Sequence, residues 1–294
     1  MISLKIRQIV ALSKPRIIAL LIFTTICGMV HTAAGFPGWL ETITVVIGVS
    51  LSAAGSNAIN QALDADIDGT MTRTRHRLVP SNQVSSQTAV LIGIVLIILA
   101  VLIMTTLPNL LAAALTLLAS ITYIFLYTIL LKRYSWNNIV IGGAAGAFPP
   151  LIGSAAISSE ITIMGLYMFV LIFFWTPPHF WTLSLLLKDE YSAAKVPMLS
   201  AVASHHEISL QIILYSILLI ILPWLPYAAG YSGPFFPIIV TLLGIEWLRK
   251  SLALRSNPSR DIYLSSYKYS LLYLAGVFLT LAFDPLLPGY PIGL

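Results

Sequence analysis

Nine apolar runs divide this sequence, and its lysines and arginines fall only in alternate gaps between them. A helix of about 20 mainly apolar residues spans the hydrocarbon core of a bilayer. Only 9% of the residues are charged, whereas soluble domains have about 25%, so the chain is predicted to be an integral membrane protein. The runs cover approximately residues 17–34, 39–63, 88–107, 109–131, 139–157, 161–187, 208–229, 235–248 and 269–287.

The basic residues predict which ends of these runs face the cytoplasm. All sixteen lie in the N-terminal segment or in segments 64–87, 132–138, 188–207 and 249–268. Cytoplasmic segments of membrane proteins carry the excess of lysine and arginine. We therefore predict an all-α polytopic fold of nine transmembrane helices in the cell membrane, with the N-terminus on the cytoplasmic side. No linker interrupts the chain, so residues 1–294 are predicted to form a single transmembrane domain.

The net charge of +5 is explained by this orientation, so the lipid bilayer, and no nucleic acid, is the predicted macromolecular environment. The single cysteine, Cys27, lies within the first apolar run. One cysteine excludes a disulfide framework and a thiolate metal site, and we interpret Cys27 as a small apolar residue.

The end of the second run carries the residues that most strongly indicate a function. Asn60, Asp64 and Asp68 are spaced four residues apart, so on a helix they share one face while Asp66 points elsewhere. Mg²⁺ binds one or two protein carboxylates and completes its coordination with water and substrate phosphates. The sequence therefore predicts a Mg²⁺ site at the cytoplasmic end of this helix.

Two arginines, Arg73 and Arg77, follow the acidic residues at the same four-residue spacing. Their planar guanidinium groups suit the oxygens of a phosphate. Together with an apolar interior, the set favours ionisation of a prenyl diphosphate, in which charge builds up on the departing diphosphate. The alternative interpretation is a solvated interfacial loop in which these acids and bases pair with one another.

A second acidic segment, Asp189-Glu190-Tyr191, closes the sixth run as Asp64 closes the second. Four runs separate the two segments, so both are predicted at the same face of the membrane. This spacing also predicts an internal repeat of four helices. Chance placement of an acidic pair at the interface is the alternative.

At these positions the sequence resembles the UbiA intramembrane prenyltransferases, and within them the branch that modifies heme. The resemblance covers the second to sixth runs and the following loop, and the last third of the chain matches only in hydropathy. Members that act on quinone precursors usually have two spaced aspartates in the second motif, which this chain lacks. The matching blocks are Asn60-x-x-x-Asp64-x-Asp66-x-Asp68, Met71-x-Arg73-Thr74-x-x-Arg77, Tyr127-Thr128-x-x-Leu131-Lys132-Arg133, residues 138–153, Trp175-Thr176-Pro177-Pro178-His179-Phe180-Trp181 and Tyr191-x-Ala193-Ala194-x-Val196-Pro197-Met198-Leu199.

The resemblance implies transfer of farnesyl from farnesyl diphosphate to a vinyl group of heme B (protoheme IX), giving heme O. Heme B is then a substrate and Mg²⁺ the cofactor, and a heme A synthase or a terminal oxidase pathway is the candidate partner. The implied roles are Asp64 and Asp68 as metal ligands supported by Asn60, diphosphate contacts from Arg73, Arg77, Lys132 and Arg133, and completion of the site by Asp189, Glu190 and Tyr191.

Three other functions fit parts of the sequence. A quinone precursor or another macrocycle is the alternative prenyl acceptor. CDP-alcohol phosphotransferases share an Asp-Gly near an arginine, but the rest of their pattern does not follow Asp68-Gly69. A transporter would place its ionisable residues near the membrane midplane, whereas these collect at one end of the runs. An enzyme is therefore favoured.

His179, inside the sixth run, is the candidate heme-binding residue. A histidine within a span is costly and commonly functional, and imidazole is a common axial ligand of heme iron. The alternative is a neutral imidazole hydrogen-bonded to a carbonyl that Pro177-Pro178 frees. These prolines, and Pro149-Pro150 in the fifth run, are predicted to break their helices. His31 and His205-His206 are weaker candidates.

Overall fold

The computed structural model describes residues 6–291, and within that range every regular element is a helix. An all-helical fold is therefore confirmed for the described residues. Lys5, one of the basic residues used to predict orientation, lies outside them. The helices are α1 (Ile6–Ser13), α2 (Pro15–Ala33), α3 (Trp39–Leu63), α4 (Ala65–Thr70), α5 (Ser86–Thr106), α6 (Leu110–Ile121), a π-helix (Thr122–Leu131), α7 (Asn138–Gly142), α8 (Ala144–Ser158), α9 (Ile163–Leu186), α10 (Lys188–Ala193), α11 (Leu199–Val202), α12 (His205–Ile221), α13 (Trp224–Ala228), α14 (Phe235–Ser256), α15 (Arg260–Phe283) and a 3₁₀ turn (Asp284–Leu286).

Eight helical segments of the described chain are long and apolar enough to cross a membrane. Because a bilayer core about 30 Å thick requires roughly 20 apolar residues per helix, the chain is a multi-pass membrane protein. The segments are Pro15–Ala33, Trp39–Leu63, Ser86–Thr106, Leu110–Leu131, Asn138–Ser158, Ile163–Leu186, His205–Ala228 and Arg260–Leu286.

The eighth predicted run lies in α14, which is not among these segments because its second half carries Glu246, Arg249 and Lys250. Three side-chain contacts show that α14 nevertheless lies antiparallel along the whole of α12. They join Trp224 to Thr241 at 2.9 Å, Ser216 to Ser251 at 3.0 Å and His206 to Arg255 at 3.1 Å. The count of nine transmembrane helices and the four-helix repeat stay predictions.

The prolines do not break their helices, which corrects the sequence expectation. Helix α8 continues through Pro149-Pro150, and α9 continues through Pro177-Pro178. The interruption in the fifth run instead falls at Gly143, between α7 and α8. Tertiary packing overrides the local cost of proline, because α8 is held along its length against α2.

The packing of α8 against α2 depends on two glycines. A Cβ on Gly28 would collide with the carbonyl of Pro150, and a Cβ on Gly153 would collide with the carbonyl of Thr25. Small residues allow membrane helices to approach this closely. The close pair α2–α8, together with α3 and α6, encloses the cavity described below.

Candidate active site at the acidic end of the bundle

The predicted acidic face exists and is buried. Helix α3 ends at Leu63, but the helical register continues because the Asp64 N–H donates to the Asn60 carbonyl (2.9 Å) and the Asp68 N–H donates to the Asp64 carbonyl (2.8 Å). Asn60, Asp64 and Asp68 are therefore aligned, and each is no more than 3% exposed. The side chain of Asp66 points outward and is 66% exposed.

Asp64 has one carboxylate oxygen paired and one left free. Its Oδ2 accepts hydrogen bonds from Asn60 Nδ2 at 2.7 Å and from Lys132 Nζ at 2.5 Å. Its Oδ1 is buried and has no hydrogen-bond partner among the described residues, and the Arg133 guanidinium lies 4.0 Å from it. A buried anionic oxygen without a hydrogen bond is costly. The donor set, an aligned pair of carboxylates with one free oxygen, fits a hard cation such as Mg²⁺.

Asp68 is paired with Arg77. The Arg77 guanidinium donates to Asp68 Oδ2 at 2.6 Å, and the Thr74 hydroxyl donates to the Asp68 backbone carbonyl at 3.0 Å. These contacts fold segment 71–77 back over the end of α3, so that Arg77 faces the buried carboxylates. Arg73 lies on the exposed side of the same segment.

Lys14 completes the cationic part of the site, although the sequence analysis used it only to predict orientation. Its ammonium donates to Asn60 Oδ1 at 2.8 Å. Two side chains of α3 position it, because Asn57 Nδ2 donates to the Ser13 carbonyl (2.9 Å) and Gln61 Nε2 donates to the Leu12 carbonyl (3.0 Å). Lys14 has a left-handed backbone (φ 56°, ψ 67°), which costs a non-glycine residue about 1–2 kcal/mol.

The environment of Lys14 makes its charge sensitive to pH near neutrality. Burial, and then the nearby cations Arg77 and Lys132, lower the pKa of Lys14 to about 7, against the opposing effect of Asp68 and Asp64. Lysine in water titrates near 10.4, so Lys14 loses its proton at a much lower pH than an exposed lysine. A bound anion at this position would favour the protonated form.

A π-helix brings three further side chains to the acidic residues. In this geometry each N–H bonds to a carbonyl five residues back, as the Lys132 N–H does to Tyr127 at 2.8 Å. Tyr123, Thr128 and Lys132 consequently lie on one face. The Thr128 hydroxyl donates to the Tyr123 carbonyl (2.8 Å) and accepts from Asn60 Nδ2 (3.1 Å). No apolar periodicity in the sequence distinguishes this segment from an α-helix.

Arg133 has a partner that the sequence analysis did not anticipate. Its guanidinium forms two 2.7 Å hydrogen bonds to the carboxylate of Asp66 and one to the carbonyl of Leu63. This pair lowers the pKa of Asp66 to about 2 and raises that of Arg133. A diphosphate contact by Arg133 stays a prediction, and such a contact must compete with Asp66.

The second acidic segment lies beside the first, at the same end of the bundle. The backbone N–H of Arg73 donates to Glu190 Oε2 at 3.3 Å. Tyr191 is buried in a small apolar cluster with Ile67 and Met71, and burial raises its pKa although Arg73 opposes the shift. Asp189 is exposed and makes no contact with the metal site.

His179 lies two turns before the end of α9 and is held by α15. Its Nδ1 is 2.6 Å from Ser270 Oγ, which itself donates to the Tyr267 carbonyl at 2.6 Å. With the serine proton on the Tyr267 carbonyl, Nδ1 donates to Ser270 Oγ, and this tautomer leaves a lone pair on Nε2. The ring is stacked between Trp175, at 4.2 Å, and Tyr267, at 5.0 Å. The partner is thus a serine, not a carbonyl freed by proline.

The three weaker candidates, His31, His205 and His206, lie outside the site. His31 is buried at the opposite end of the bundle, with Nδ1 2.7 Å from the Leu281 carbonyl. His205 stacks on Tyr263, and His206 contacts Arg255. Each has a structural partner and none approaches the acidic residues.

An apolar cavity lies between α2, α3, α6 and α8 and begins about one turn of α3 from Asn60. Its near end is formed by Asn57 and Tyr123. Three serines in its wall are hydrogen-bonded to one another, since Ser52 and Ser56 both contact Ser120 Oγ, at 2.7 and 3.0 Å. The lining residues are Ile17, Leu21, Val49, Ser52, Ala53, Ser56, Asn57, Thr116, Ala119, Ser120, Tyr123, Ala145, Gly146, Pro149 and Ile152.

Comparison with known sequences gives a family and close relatives. Residues 21–286 match the UbiA prenyltransferase family. The chain is 44% identical over 278 residues to protoheme IX farnesyltransferase of Thermus thermophilus, a match that covers 95% of this chain and 46% of that protein. It therefore spans about half the length of that relative. It is also 38% identical to the enzyme of the same name from Brucella ovis, over 95% of this chain and 91% of the relative.

Solved structures of the same fold are more distant in sequence. A structure of digeranylgeranylglyceryl phosphate synthase superposes with a TM-score of 0.76 at 17% identity, covering 95% of this chain and 98% of that one. A UbiA homolog from Archaeoglobus fulgidus bound to GPP and Mg²⁺ superposes with a TM-score of 0.67 at 16% identity, covering 93% and 99%. At these identities the superpositions describe the fold alone.

Proposed function

Because the chain belongs to the UbiA prenyltransferase family, we propose that it transfers a farnesyl group from farnesyl diphosphate to a vinyl group of heme B, producing heme O. The name shared by the relatives from Thermus thermophilus and Brucella ovis supports the choice of substrates. The observation in this molecule that carries the proposal is the buried Oδ1 of Asp64, which lacks a hydrogen bond, in a cluster that also contains the cations Lys14, Arg77 and Lys132.

Asp64 and Asp68 are the proposed ligands of Mg²⁺, with Asn60 holding Asp64 in place through its 2.7 Å hydrogen bond. When bound, the metal supplies positive charge that stabilises the departing diphosphate. The Archaeoglobus homolog was solved with GPP and Mg²⁺, which supports a metal-bound diphosphate here.

Lys14, Arg77 and Lys132 bind the diphosphate and stabilise the negative charge that grows on it during ionisation. Preorganised charges of this kind act mainly on the transition state, since they are already in place when the charge develops. The bond between C1 of farnesyl and the diphosphate oxygen breaks, and C1 bonds to the terminal vinyl carbon. Water adds to the adjacent carbon and releases a proton, which leaves a hydroxyethylfarnesyl substituent.

The apolar cavity holds the farnesyl tail, and its walls exclude water from the reacting carbon. Its near end lies about one turn of α3 from Asn60, and the Asn57 side chain there donates to the carbonyl of Ser13, the residue before Lys14. The tail therefore extends away from the acidic residues, between α3 and α8, while the diphosphate remains with the cations.

His179 is the proposed contact for heme iron, through the lone pair on Nε2. Its neighbour Phe180 packs with Tyr191 and Met71 at the acidic end of the bundle, so an acceptor at His179 lies next to the prenyl site. A quinone precursor has no metal for this imidazole to bind, so the position of His179 favours heme as the prenyl acceptor. A heme A synthase or terminal oxidase partner stays a prediction.

We also infer that the acidic end of the bundle faces the cytoplasm and that the membrane is the cell membrane. The distribution of lysine and arginine supports this orientation. Farnesyl diphosphate, a charged water-soluble headgroup on a lipid tail, would then enter from the cytoplasmic side.

The decisive experiment compares Asp64→Asn with Asp66→Asn in protein purified from cells lacking their own enzyme. With farnesyl diphosphate, Mg²⁺ and heme B, wild type and Asp66→Asn are expected to form heme O, detected by mass spectrometry. Asp64→Asn is expected to lose at least about 10²-fold in rate while retaining the wild-type elution profile and helical content. Full activity of a folded Asp64→Asn protein would exclude the proposed metal site, and prenylation of a quinone precursor alone would exclude heme as acceptor.

A further inference from the structure

The far end of the apolar cavity has a defined boundary. On α3 the deepest lining residue is Val49, and on α8 it is Ile152. Both also belong to a compact buried cluster that contains Met29, Val45 and Met104. The cavity therefore ends on tightly packed side chains and does not open to the opposite face of the bundle.

Met104 supports this boundary from behind. It is fully buried, and its side chain fills the notch left by Gly48, where a Cβ would collide with its sulfur. Met104 and Val49 belong to the same buried cluster, so the methionine packs behind the residue at the deep end of the cavity. Methionine adapts to irregular gaps of this kind.

The depth of the cavity corresponds to a particular chain length. With a rise of 1.5 Å per residue, Asn60, beside the proposed diphosphate site, and Val49 are about 16 Å apart along α3. Carbon–carbon bonds of about 1.5 Å give an extended chain roughly 1.25 Å per bond. By the same geometry three isoprene units extend about 14 Å, and a fourth adds about 5 Å. That fourth unit would coincide with Met104 and Val45.

We infer that Val49 and Ile152, supported by Met104 against Gly48, form a floor that limits the isoprenoid tail to three units. This inference rests on the proposed function and adds the residues that determine its donor specificity. A shorter tail leaves part of the apolar wall uncovered, whereas a longer tail must displace the packed cluster. The preferred donor is therefore farnesyl diphosphate, and geranyl and geranylgeranyl diphosphates bind less well.

Substitutions at Val49 can make the cavity deeper or shallower. In the Val49→Ala/Met104→Ala double variant the cavity extends toward Val45, and in Val49→Phe the larger ring occupies its deep end. Met168→Ala is the matched control, because Met168 is also fully buried but belongs to a different cluster, beside Trp175 and Phe236.

The test measures binding of geranyl, farnesyl and geranylgeranyl diphosphates to purified protein with Mg²⁺ and without acceptor. Mass spectrometry of prenylated product then gives kcat/KM for each donor. Wild type and Met168→Ala should prefer farnesyl over geranylgeranyl by about tenfold or more, as expected for extra carbons that a pocket cannot accept. The double variant should reduce this preference to about twofold, and Val49→Phe should favour geranyl.

The outcomes separate this inference from the proposed function. If no prenyl diphosphate binds with Mg²⁺, both are wrong. If all three donors bind in an order that none of the variants changes, the prenyltransferase site stands and the floor is wrong. Should the double variant fail to fold, a folded Val49→Phe protein that still prefers farnesyl overturns the inference by itself.

Discussion

Lys14 Nζ lies 2.8 Å from Asn60 Oδ1, although 46 residues separate the two in sequence. The contact brings a cation from the N-terminal segment to the carboxylates proposed to bind Mg²⁺. Its pKa of about 7 means that the ammonium is present below neutrality and is lost as the pH rises above it. The affinity for prenyl diphosphate should therefore fall as the pH rises through 7.

Binding of the anion should raise the pKa of Lys14, so wild-type protein at pH 8 is expected to take up a proton when farnesyl diphosphate binds. Isothermal titration in buffers of different ionisation enthalpy measures this uptake directly. Lys14→Met should remove it and weaken binding, whereas Lys188→Met, at an exposed lysine of the same end, should do neither. Equal proton uptake by Lys14→Met and wild type would contradict the assignment.

Replacement of Lys132 should affect the metal and the reaction in opposite directions. The ammonium is 2.5 Å from Asp64 Oδ2, so Lys132→Met removes a positive charge that competes with Mg²⁺ for the carboxylate. The Mg²⁺ concentration for half-maximal activity should fall, while kcat should fall about 10²-fold because the diphosphate loses a cation. Lys132→Arg keeps the charge and should retain more activity. An increased Mg²⁺ requirement in Lys132→Met would disprove this competition.

Arg77 and Arg133 should differ in their effect on substrate binding. Arg77 pairs with buried Asp68 at 2.6 Å, whereas Arg133 hydrogen-bonds to the exposed carboxylate of Asp66 and stays 4.0 Å from buried Asp64. Charge-assisted hydrogen bonds contribute about 1.5–3 kcal/mol, so Arg77→Gln should raise the KM for farnesyl diphosphate at least about tenfold. Arg133→Gln should change it by less than about twofold, since exposed ion pairs contribute only about 0–1 kcal/mol. Steady-state kinetics with saturating heme distinguish the two, and equal effects would give Arg133 a place at the diphosphate.

His179 should act on heme and not on the prenyl donor. His179→Ala should abolish the shift of the heme absorption band that accompanies binding, while the affinity for farnesyl diphosphate is unchanged. Ser270→Ala leaves the imidazole but removes the acceptor that orients it, so heme affinity should fall about 10–100-fold. Normal heme spectra and affinity in His179→Ala would remove the histidine from the site.

Two glycines of the bundle should respond oppositely to alanine. Gly28→Ala places a Cβ against the Pro150 carbonyl, whereas a Cβ on Gly146 meets no heavy atom within 4 Å. Overpacking costs about 1–3 kcal/mol, but alanine stabilises a helix interior by about 0.5–1 kcal/mol relative to glycine. Thermal unfolding in detergent should show a lower Tm for Gly28→Ala and an unchanged or higher Tm for Gly146→Ala. An unchanged Tm for Gly28→Ala would mean that the close approach of α2 and α8 does not depend on Gly28.

The acidic half of the site could be predicted from spacing alone. Asn60, Asp64 and Asp68 align because α-helical hydrogen bonds continue through the end of α3, and Asp66 points outward as the same periodicity requires. The apolar runs likewise predict the multi-pass helical fold, since only helices of sufficient length satisfy their backbone groups within a bilayer.

The cationic half could be predicted only in part, because Arg77 follows from its spacing and Lys132 from the family resemblance, whereas Lys14 follows from neither. Lys14 reaches the site because α3 side chains bind the carbonyls at the end of α1, and such long-range contacts leave no local pattern. The ion pair between Arg133 and Asp66 depends on how two segments distant in sequence pack together. The continuity of α8 and α9 through their prolines depends on helix packing, which the sequence rule for proline does not include.

The π-helix makes the length of one membrane segment as important as its chemistry. Deleting a single apolar residue from 122–131 would let the segment return to an α-helix that is still long enough to cross the bilayer. Each residue of an α-helix corresponds to a rotation of about 100°, so Lys132 would turn away from Tyr123 and from the carboxylates. Such a deletion mutant should insert into the membrane with ordinary hydropathy and yet be inert, a defect that no comparison of composition would reveal.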